Sequence, residues 1–514
     1  MSVTLALMTR KIPTERLGLV RALGPILATA VVVGTVIGSG VFKKPQPVSQ
    51  DLPYFGLVAL VWILGGTLAL MGALALAEVN ILYPRAGGNY VFLREGYGRL
   101  AGFLWGWVEF CIIRSASIAA LATIFAESLH DVLRNSAFQQ ALGLDWGPEP
   151  LGFWAQRWLT VGVILGLAVV NGLGVKWGGV LQFLITVIKV GSLVAIAVMP
   201  FLVWRLAGPQ ADVPAPNPSN LSPVWPAWRD LELSRIGTAL LAVIWAYHGW
   251  MNLGPIGEEI RNPQRNIPIS LLSGVAIIIT LYLGANVGYY LILPQHEIAA
   301  VKGDTTVATV FSLHLLGPLG AAAASAAIMW SVFGALNGNL LVGPRLLYAM
   351  GEDRLAPRSL AAVHPRFRTP ALAIMVMAIW SAILVVAGAW IISNPLPTIP
   401  VGSWSLNLNP PKGKALFDLM TDFAMFAAVI FETSAVCTIF VFRRRYPNAE
   451  RAYRCWGYPV VPIVYAMIFA CVAANTFIER KTEAVGVVGF VVLGVAVYYL
   501  FGLSRSKPLP ENAT

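Results

Sequence analysis

Long apolar segments separated by short polar connections run along almost the whole chain. Each segment holds about 20 hydrophobic residues, enough for an α-helix to cross a hydrocarbon layer roughly 30 Å thick. The pattern predicts twelve membrane-spanning helices, at residues 22–42, 55–82, 97–130, 157–173, 177–205, 234–258, 268–293, 306–350, 371–392, 415–442, 458–478 and 484–503. The third and eighth segments are too long for one straight crossing, so we expect them to tilt or to continue into the water phase.

The composition agrees with a membrane protein and disagrees with a soluble one. Hydrophobic residues make up 57% of the 514 residues and charged residues only 12%, whereas soluble domains contain about 25% charged residues. The mean hydropathy of +0.70 points the same way. The predicted fold class is therefore an all-α polytopic membrane protein.

The net charge of +11 is explained by its distribution over the loops. If both termini share one side, the termini, connections and span ends of that side hold 22 Lys and Arg residues, those of the opposite side hold 12, and two lie deep inside spans. The positive-inside rule then places both termini in the cytoplasm and the long loops 131–156, 206–233 and 393–414 outside. The basic residues therefore do not indicate a nucleic-acid partner. We expect a multi-pass protein of the cell (inner) membrane.

Spans one and six are interrupted at mid-membrane depth. Residues 34–42 read GTVIGSGVF and residues 245–259 read WAYHGWMNLGPIGEE. Glycine costs a helix interior about 1 kcal/mol and proline about 3 kcal/mol, so clusters of them predict that the helix opens. An opened backbone is tolerated in a membrane only where it lines a cavity. A glycine packing face is the alternative explanation for the first span alone.

The same interruption in two spans, five apart, is typical of a transporter built from two inverted repeats, with its site at their interface. The predicted segments are a cytoplasmic N-terminus at 1–21, repeat one at 22–205, an extracytoplasmic loop at 206–233, repeat two at 234–442, spans eleven and twelve at 443–503 and a cytoplasmic tail at 504–514.

The two breaks predict a binding site for a zwitterion. A half-helix that begins near Ser39, Gly40 and Val41 presents N–H groups and a positive dipole end, which suit a carboxylate. Half-helices that end near Ile37 and near residues 245–247 present carbonyl groups, which suit an ammonium. An amino acid carries both groups on one small molecule. The predicted substrate-binding residues are Ile37, Ser39, Gly40, Val41, Trp245, Ala246, Tyr247 and His248.

These motifs resemble a known family. Residues 34–42 are similar to the first-helix signature of the L-type amino-acid transporters, which belong to the amino-acid/polyamine/organocation superfamily. Further matches follow in order at residues 84–90, 107–109, 113–117, 171, 174–176, 258–268, 337–338, 345, 364–367, 369–370, 443–447 and 457–459. The resemblance implies the five-plus-five fold with broken helices one and six, and sodium-independent transport of amino acids, usually by one-for-one exchange. It implies an antiporter without a cofactor or metal.

Two further residues gain a role from the resemblance. Lys189 lies about 18 Å into span five at 1.5 Å per residue, and it matches a family lysine that contacts the broken first helix, where related sodium-driven transporters hold sodium. A mid-membrane lysine is a functional candidate in its own right. Trp245 aligns with the aromatic residue that closes over the substrate. We therefore expect coupling or gating roles for Lys189 and Trp245.

His248 and Glu432 depart from the family pattern. His248 lies at the second break, where an imidazole can bind a ligand, carry a proton near neutral pH or simply satisfy an unwound carbonyl. Glu432 lies in an otherwise apolar part of span ten, as a proton-coupling site or as the partner of another polar side chain. Glu109 and Arg114, five apart in span three, are interpreted as structural pairing groups.

Several alternatives remain open at this stage. A proton-coupled importer of amino acids or polyamines is the main one, and a nutrient receptor on a transporter fold is another. An enzyme is disfavoured because the five histidines show no metal-ligand spacing. Animal relatives bind a heavy subunit through a cysteine between spans three and four, whereas residues 131–156 contain none. We therefore expect no disulfide-linked subunit, and a monomer or a weak homo-oligomer in the lipid bilayer. The sequence does not specify which amino acid is carried.

Overall fold

The structure of the chain is a computed structural model. The structure describes residues 23–83, 87–173, 178–207, 213–227, 231–302, 305–394, 397, 399–401, 404–406, 416–479 and 481–503. The predicted terminal segments 1–21 and 504–514 lie outside these residues.

The described chain is a bundle of helices. They are α1 (Pro25–Val36), α2 (Gly40–Lys43), α3 (Pro45–Asp51), α4 (Phe55–Leu82), α5 (Asn89–Tyr97), α6 (Arg99–Val108), α7 (Ser115–Leu133), α8 (Ser136–Leu142), α9 (Phe153–Gly172), α10 (Gly178–Ala207), α11 (Leu233–Tyr247), α12 (Pro263–Ile292), α13 (Gln295–Ala300), α14 (Val307–Val342), α15 (Pro344–Glu352), α16 (Ala371–Ser393), α17 (Leu416–Arg445), α18 (Val460–Glu479) and α19 (Lys481–Leu500). A π-helix covers Glu109–Arg114, and 3₁₀-helices cover Pro218–Leu221, Trp250–Glu259 and Arg358–Ala361. Strands β1 (Ile399–Val401) and β2 (Trp404–Leu406) pair antiparallel within the loop before α17.

Within the described residues, ten helical segments are long and apolar enough to cross a membrane. The other two predicted spans account for the difference from twelve. Span six is divided between α11 and the 3₁₀-helix, and the described apolar part of span twelve, Ala484–Leu500, is shorter. The all-α polytopic fold class is confirmed, while the boundaries of the two repeats stay a prediction.

The first and sixth spans open where glycine and polar residues interrupt the apolar pattern. Helix α1 ends at Val36, and Ile37 is extended (φ −69°, ψ 95°) before α2 begins at Gly40. Helix α11 ends at Tyr247, His248 is extended, and Gly249 has a φ of 109°, which a side chain rarely tolerates. Helix α1 packs against α10, α12 and α14, so the first break lies at the centre of the bundle.

The two overlong spans are each deformed at an identifiable place. The eighth kinks at Gly317 (φ 68°, ψ −164°), directly before Pro318, and continues after Gly343 as α15. The third contains the π-helix between α6 and α7. Proline removes a backbone donor and π turns interrupt the regular ladder, so both spans change direction without leaving the bundle.

Candidate functional site

The two breaks face each other across a small internal space of about 30 Å3. We call it the central cavity. Residues from the first, third, sixth and eighth spans line it: Thr35, Val36, Gly38, Ser39, Gly40, Ser117, Leu121, Trp245, His248, Gly249, Asn252, Ala335 and Asn339. Ligand sites usually enclose several hundred Å3, so the protein is closed around a space that must widen to admit an organic molecule.

The first break contributes an unsatisfied hydroxyl and a helix start. Ser39 is only 1% exposed and its Oγ has no hydrogen-bond partner. It precedes α2, and Lys44 has helical torsions (φ −72°, ψ −17°), so α2 and α3 form one continuous half-helix. The first N–H groups of a helix have no intrahelical acceptor. The site therefore offers O–H and N–H donors to an anionic group.

Gly40 has no room for a side chain. A Cβ at this position would lie 2.6 Å from the Ala246 Cβ and closer still to the Ala246 Cα. The two broken helices therefore touch backbone to backbone beside the cavity, which requires glycine here.

Most of the carbonyl groups predicted to hold an ammonium are already engaged. The Ile37 carbonyl accepts a hydrogen bond from Lys189 Nζ at 2.7 Å. The Ala246 carbonyl accepts one from the Tyr282 hydroxyl at 2.9 Å, and the Trp245 carbonyl accepts one from the His248 N–H at 3.1 Å. In the closed state each of these carbonyl oxygens therefore has at most one lone pair left for an ammonium.

Lys189 lies behind the first break and does not line the cavity. Its side chain is fully buried, and the Nζ also donates to the Gly34 carbonyl at 2.6 Å. The contact with the broken first helix that the family resemblance implies is therefore present. A buried ammonium is costly unless it is hydrogen-bonded, and the opened backbone provides the acceptors.

Aromatic rings and ion pairs cover the cavity on the side that the charge distribution assigns to the exterior. The Trp245 ring contacts Phe417 edge to face, with centroids 5.8 Å apart, and the Nζ atoms of Lys43 and Lys44 lie 5.3 and 4.7 Å from the Phe417 ring centre. Lys43 Nζ pairs with Glu127 at 2.6 Å, and Lys44 Nζ pairs with Asp418 at 2.8 Å. We call these six residues the outer layer: Lys43, Lys44, Glu127, Trp245, Phe417 and Asp418.

A single arginine crosses the opposite side of the cavity. Arg114 Nη2 lies 2.6 Å from Glu109 Oε1, and the guanidinium donates to Asn339 Oδ1 at 2.6 Å and to Asn252 Oδ1 at 3.1 Å. We call these four residues, Glu109, Arg114, Asn252 and Asn339, the inner layer. Glu109 and Arg114 pair with each other, and Arg114 also bonds one residue of span six and one of span eight.

His248 and Glu432 form one buried pair at the side of the cavity. The His248 Nε2 and Glu432 Oε1 atoms are 2.8 Å apart, which joins the second break to span ten. The His248 ring is parallel to the Trp245 ring, with centroids 6.4 Å apart. Each of the two departures from the family pattern is thus the partner of the other.

The chain is similar to known proteins over almost its whole length. A family model described as an amino acid permease matches residues 23–501. The chain belongs to the amino acid permease family. It is 32% identical over 500 residues to the serine/threonine exchanger SteT of Bacillus subtilis, an alignment that covers 96% of this chain and 99% of SteT. It is 26% identical to the human cystine/glutamate transporter and 27% identical to the human b(0,+)-type amino acid transporter 1, covering 96% and 94% of this chain and 88% of each relative.

Membership confirms the expected L-type resemblance and the expectation of a membrane transporter of amino acids, not an enzyme. In the permease, four of the predicted binding residues line the cavity, namely Ser39, Gly40, Trp245 and His248. Ile37, Val41, Ala246 and Tyr247 are buried but do not line it. Sequence reasoning missed nine lining residues: Thr35, Val36, Gly38, Ser117, Leu121, Gly249, Asn252, Ala335 and Asn339. Ser117 was within reach, because it stands in one of the matching motifs.

Proposed function

We propose that the permease exchanges small neutral amino acids one for one across the cell membrane, without sodium. The observation that carries the proposal is the buried, unpartnered Ser39 hydroxyl at the start of a half-helix that faces the central cavity. A substrate carboxylate accepts hydrogen bonds from this hydroxyl and from the first N–H groups of the half-helix, which also present the positive end of the helix dipole.

The size of the substrate follows from the walls of the cavity. Gly38, Ser117, Leu121 and Ala335 leave little space around Ser39, and a Cβ at Gly38 would already approach Leu121 at 3.2 Å. The name of one relative, a serine/threonine exchanger, fits a substrate of this size. Serine and threonine are therefore the first substrates to test.

Lys189 is the reason to expect sodium independence. An ammonium 4 Å from a sodium ion raises its energy by about 4 kcal/mol at an effective dielectric constant of 20, roughly a thousandfold in affinity. The Lys189 Nζ holds the carbonyl groups of Gly34 and Ile37 by itself. The fixed charge takes the place of an ion at the broken helix.

A proton-coupled importer is the second candidate, and the buried pair of His248 and Glu432 favours it. A proton shared by an imidazole and a carboxylate beside the substrate is a means of coupling. Proton coupling predicts uptake into vesicles that contain no amino acid, whereas exchange predicts none.

Uptake of radiolabelled L-serine by purified protein in liposomes tests both candidates. If the protein is an exchanger, uptake requires serine inside the vesicles and does not depend on sodium or pH gradients. Accumulation into empty vesicles driven by a pH gradient would overturn exchange in favour of proton coupling. Binding without uptake under any condition would indicate a receptor. The Gly40→Leu variant should lose serine binding, because a side chain at this position needs the space that Ala246 occupies. Its elution profile checks that the protein still folds, and its melting temperature should fall because Ala246 must be displaced. Unchanged binding by this variant would contradict the site.

The remaining features of the proposal concern topology and partners. Both termini lie in the cytoplasm, the protein has no disulfide-linked heavy subunit, and it acts as a monomer or a weak homo-oligomer. The excess of basic residues on one side and the absence of cysteine from residues 131–156 support these statements. A non-reducing gel of the native membrane and protease protection of terminal tags test them.

A further inference from the structure

We propose that Glu109 and Arg114 form a second, transient subsite for the amino-acid substrate on the cytoplasmic side of the central cavity. The inference rests on the proposed function and concerns the route of the substrate after it leaves Ser39. Its ligand is a small zwitterion, with the ammonium on Glu109 and the carboxylate near Arg114.

The first observation is a local change of helix type. Residues Glu109–Arg114 form a π-helix within an otherwise α-helical span. Residues five apart diverge on an α-helix, which has 3.6 residues per turn. They lie one above the other on a π turn, whose hydrogen bonds join residues i and i+5. The π-helix therefore places the Glu109 and Arg114 side chains side by side, and such turns occur frequently at functional sites.

The second observation is a separate cavity of about 20 Å3 below the inner layer. Its lining residues are Gly87, Asn89, Trp105, Glu109, Arg114, Met251, Asn252, Val342, Gly343 and Leu346. Gly87 and Asn89 follow span two, on the side that the charge distribution assigns to the cytoplasm. Asn252 lines both cavities. Breaking its hydrogen bond with Arg114 therefore loosens the partition between them.

The third observation is an unsatisfied carboxylate oxygen in this second cavity. Glu109 is 3% exposed, and its Oε1 accepts the hydrogen bond from Arg114 Nε at 2.8 Å. Its Oε2 is buried and has no hydrogen-bond partner. A buried carboxylate oxygen without a donor is unfavourable, and an ammonium is the strongest donor that the substrate brings. The neighbouring guanidinium suits the carboxylate of the same molecule.

The small volumes of the two cavities limit the states in which the subsite can hold substrate. Neither cavity admits an amino acid in the closed state, since a space of 20 to 30 Å3 holds one or two water molecules. As the inner layer opens, the two spaces widen and join. The substrate then exchanges the Ser39 hydroxyl for the Glu109–Arg114 pair before it reaches the cytoplasm.

The test compares the two faces of the reconstituted protein with L-serine. Orientation in the vesicles is fixed by sorting on an affinity tag, and the half-saturation constant for serine is measured separately inside and outside. Glu109→Gln should raise the internal constant about tenfold, the effect expected for loss of one hydrogen bond to a charged group. It should change the external constant by less than about twofold. Glu109→Asp, which keeps the charge, should restore part of the internal affinity.

Two further variants keep the result interpretable. Glu78→Gln removes a buried carboxylate that pairs with Arg443 and lines neither cavity, and it should leave the internal constant unchanged. Val342→Ile fills the second cavity with one methylene and should raise the internal constant without touching Glu109. Equal changes on both faces, or no change with Glu109→Gln and Val342→Ile, would overturn the subsite while exchange by the wild type stands. If the wild type moves no serine from either face, the proposed function and the subsite both fail.

Discussion

The outer and inner layers close the same cavity by different means. In the outer layer, each ion pair joins two spans: Lys43 of the first span pairs with Glu127 of the third, and Lys44 pairs with Asp418 of the tenth. In the inner layer, Arg114 keeps its counter-ion Glu109 on its own span, and among the described residues it reaches other spans through the neutral amides of Asn252 and Asn339.

Because of this difference, opening the two layers costs different amounts of free energy. Loss of one partner from a buried ion pair costs about 3–5 kcal/mol. The outer layer contains one such pair, Lys43–Glu127, and a second pair in which the Asp418 side chain is 28% exposed. A hydrogen bond between a charged group and a neutral one contributes about 1.5–3 kcal/mol. The inner layer can open with its ion pair intact. Opening the outer layer therefore costs more free energy than opening the inner layer.

The largest expected effect follows from breaking the outer layer. Lys43→Gln leaves Glu127 buried without a cation, so the closed outer layer should lose about 3–5 kcal/mol, a shift of at least about a hundredfold toward outward access. The measurement is the rate at which a membrane-impermeant thiol reagent labels Ser117→Cys in the cavity of intact cells. An unchanged rate would show that the ion pair does not hold the layer closed.

Two controls belong to this measurement. All proteins used for labelling also carry Cys471→Ser, because Cys471 is an exposed thiol. Cys455 can stay, since burial and the charge of Glu78 raise its pKa to about 11 and keep it protonated at neutral pH. The double variant Lys43→Gln with Glu127→Gln has no unpaired charge, so its labelling should return to within about tenfold of the parent.

A smaller effect is expected from the inner layer. Asn339→Ala removes one acceptor from Arg114, and labelling of Ser117→Cys in inside-out vesicles should rise about tenfold. Asn339→Asp is the sharper variant, because it makes the inner layer resemble the outer one by adding an ion pair between spans. Its labelling from the inner face should fall below that of the parent. A rise with both variants would mean that Asn339 acts through packing alone.

Much of the fold could be predicted from the sequence because membrane spans and helix breaks are local properties. Glycine and polar residues at mid-membrane depth indicated both breaks, and apolar length indicated the spans. The π-helix could not be predicted this way, since one extra residue per turn leaves the composition unchanged. The sequence therefore indicates Glu109 and Arg114 as structural pairing groups, but not that the two pair with each other on one turn.

The site could be predicted in part for the same reason. Ser39 and Gly40 line the cavity because a half-helix begins there, which is a local feature. The engagement of the carbonyl groups by Lys189 and Tyr282 depends on side chains 152 and 36 residues away along the chain. Likewise, a prediction of the outer layer requires knowing which face of span three turns toward the end of span one. Periodicity defines a helix, but its rotation depends on the neighbouring helices.

The smallest expected effect concerns the pair of His248 and Glu432, which belongs to neither layer. Glu432→Gln removes the charge but keeps an oxygen that can accept from His248 Nε2, so the change should cost about 1 kcal/mol, or fivefold in the half-saturation constant. Serine exchange should continue to require internal serine, and labelling of Ser117→Cys should stay within about fivefold of the parent from both faces. A shift in access as large as that of Lys43→Gln would show that this pair also holds the cavity closed. If a pH gradient drives accumulation in the wild type and the variant loses it, the pair carries the coupling proton and exchange is the wrong mechanism.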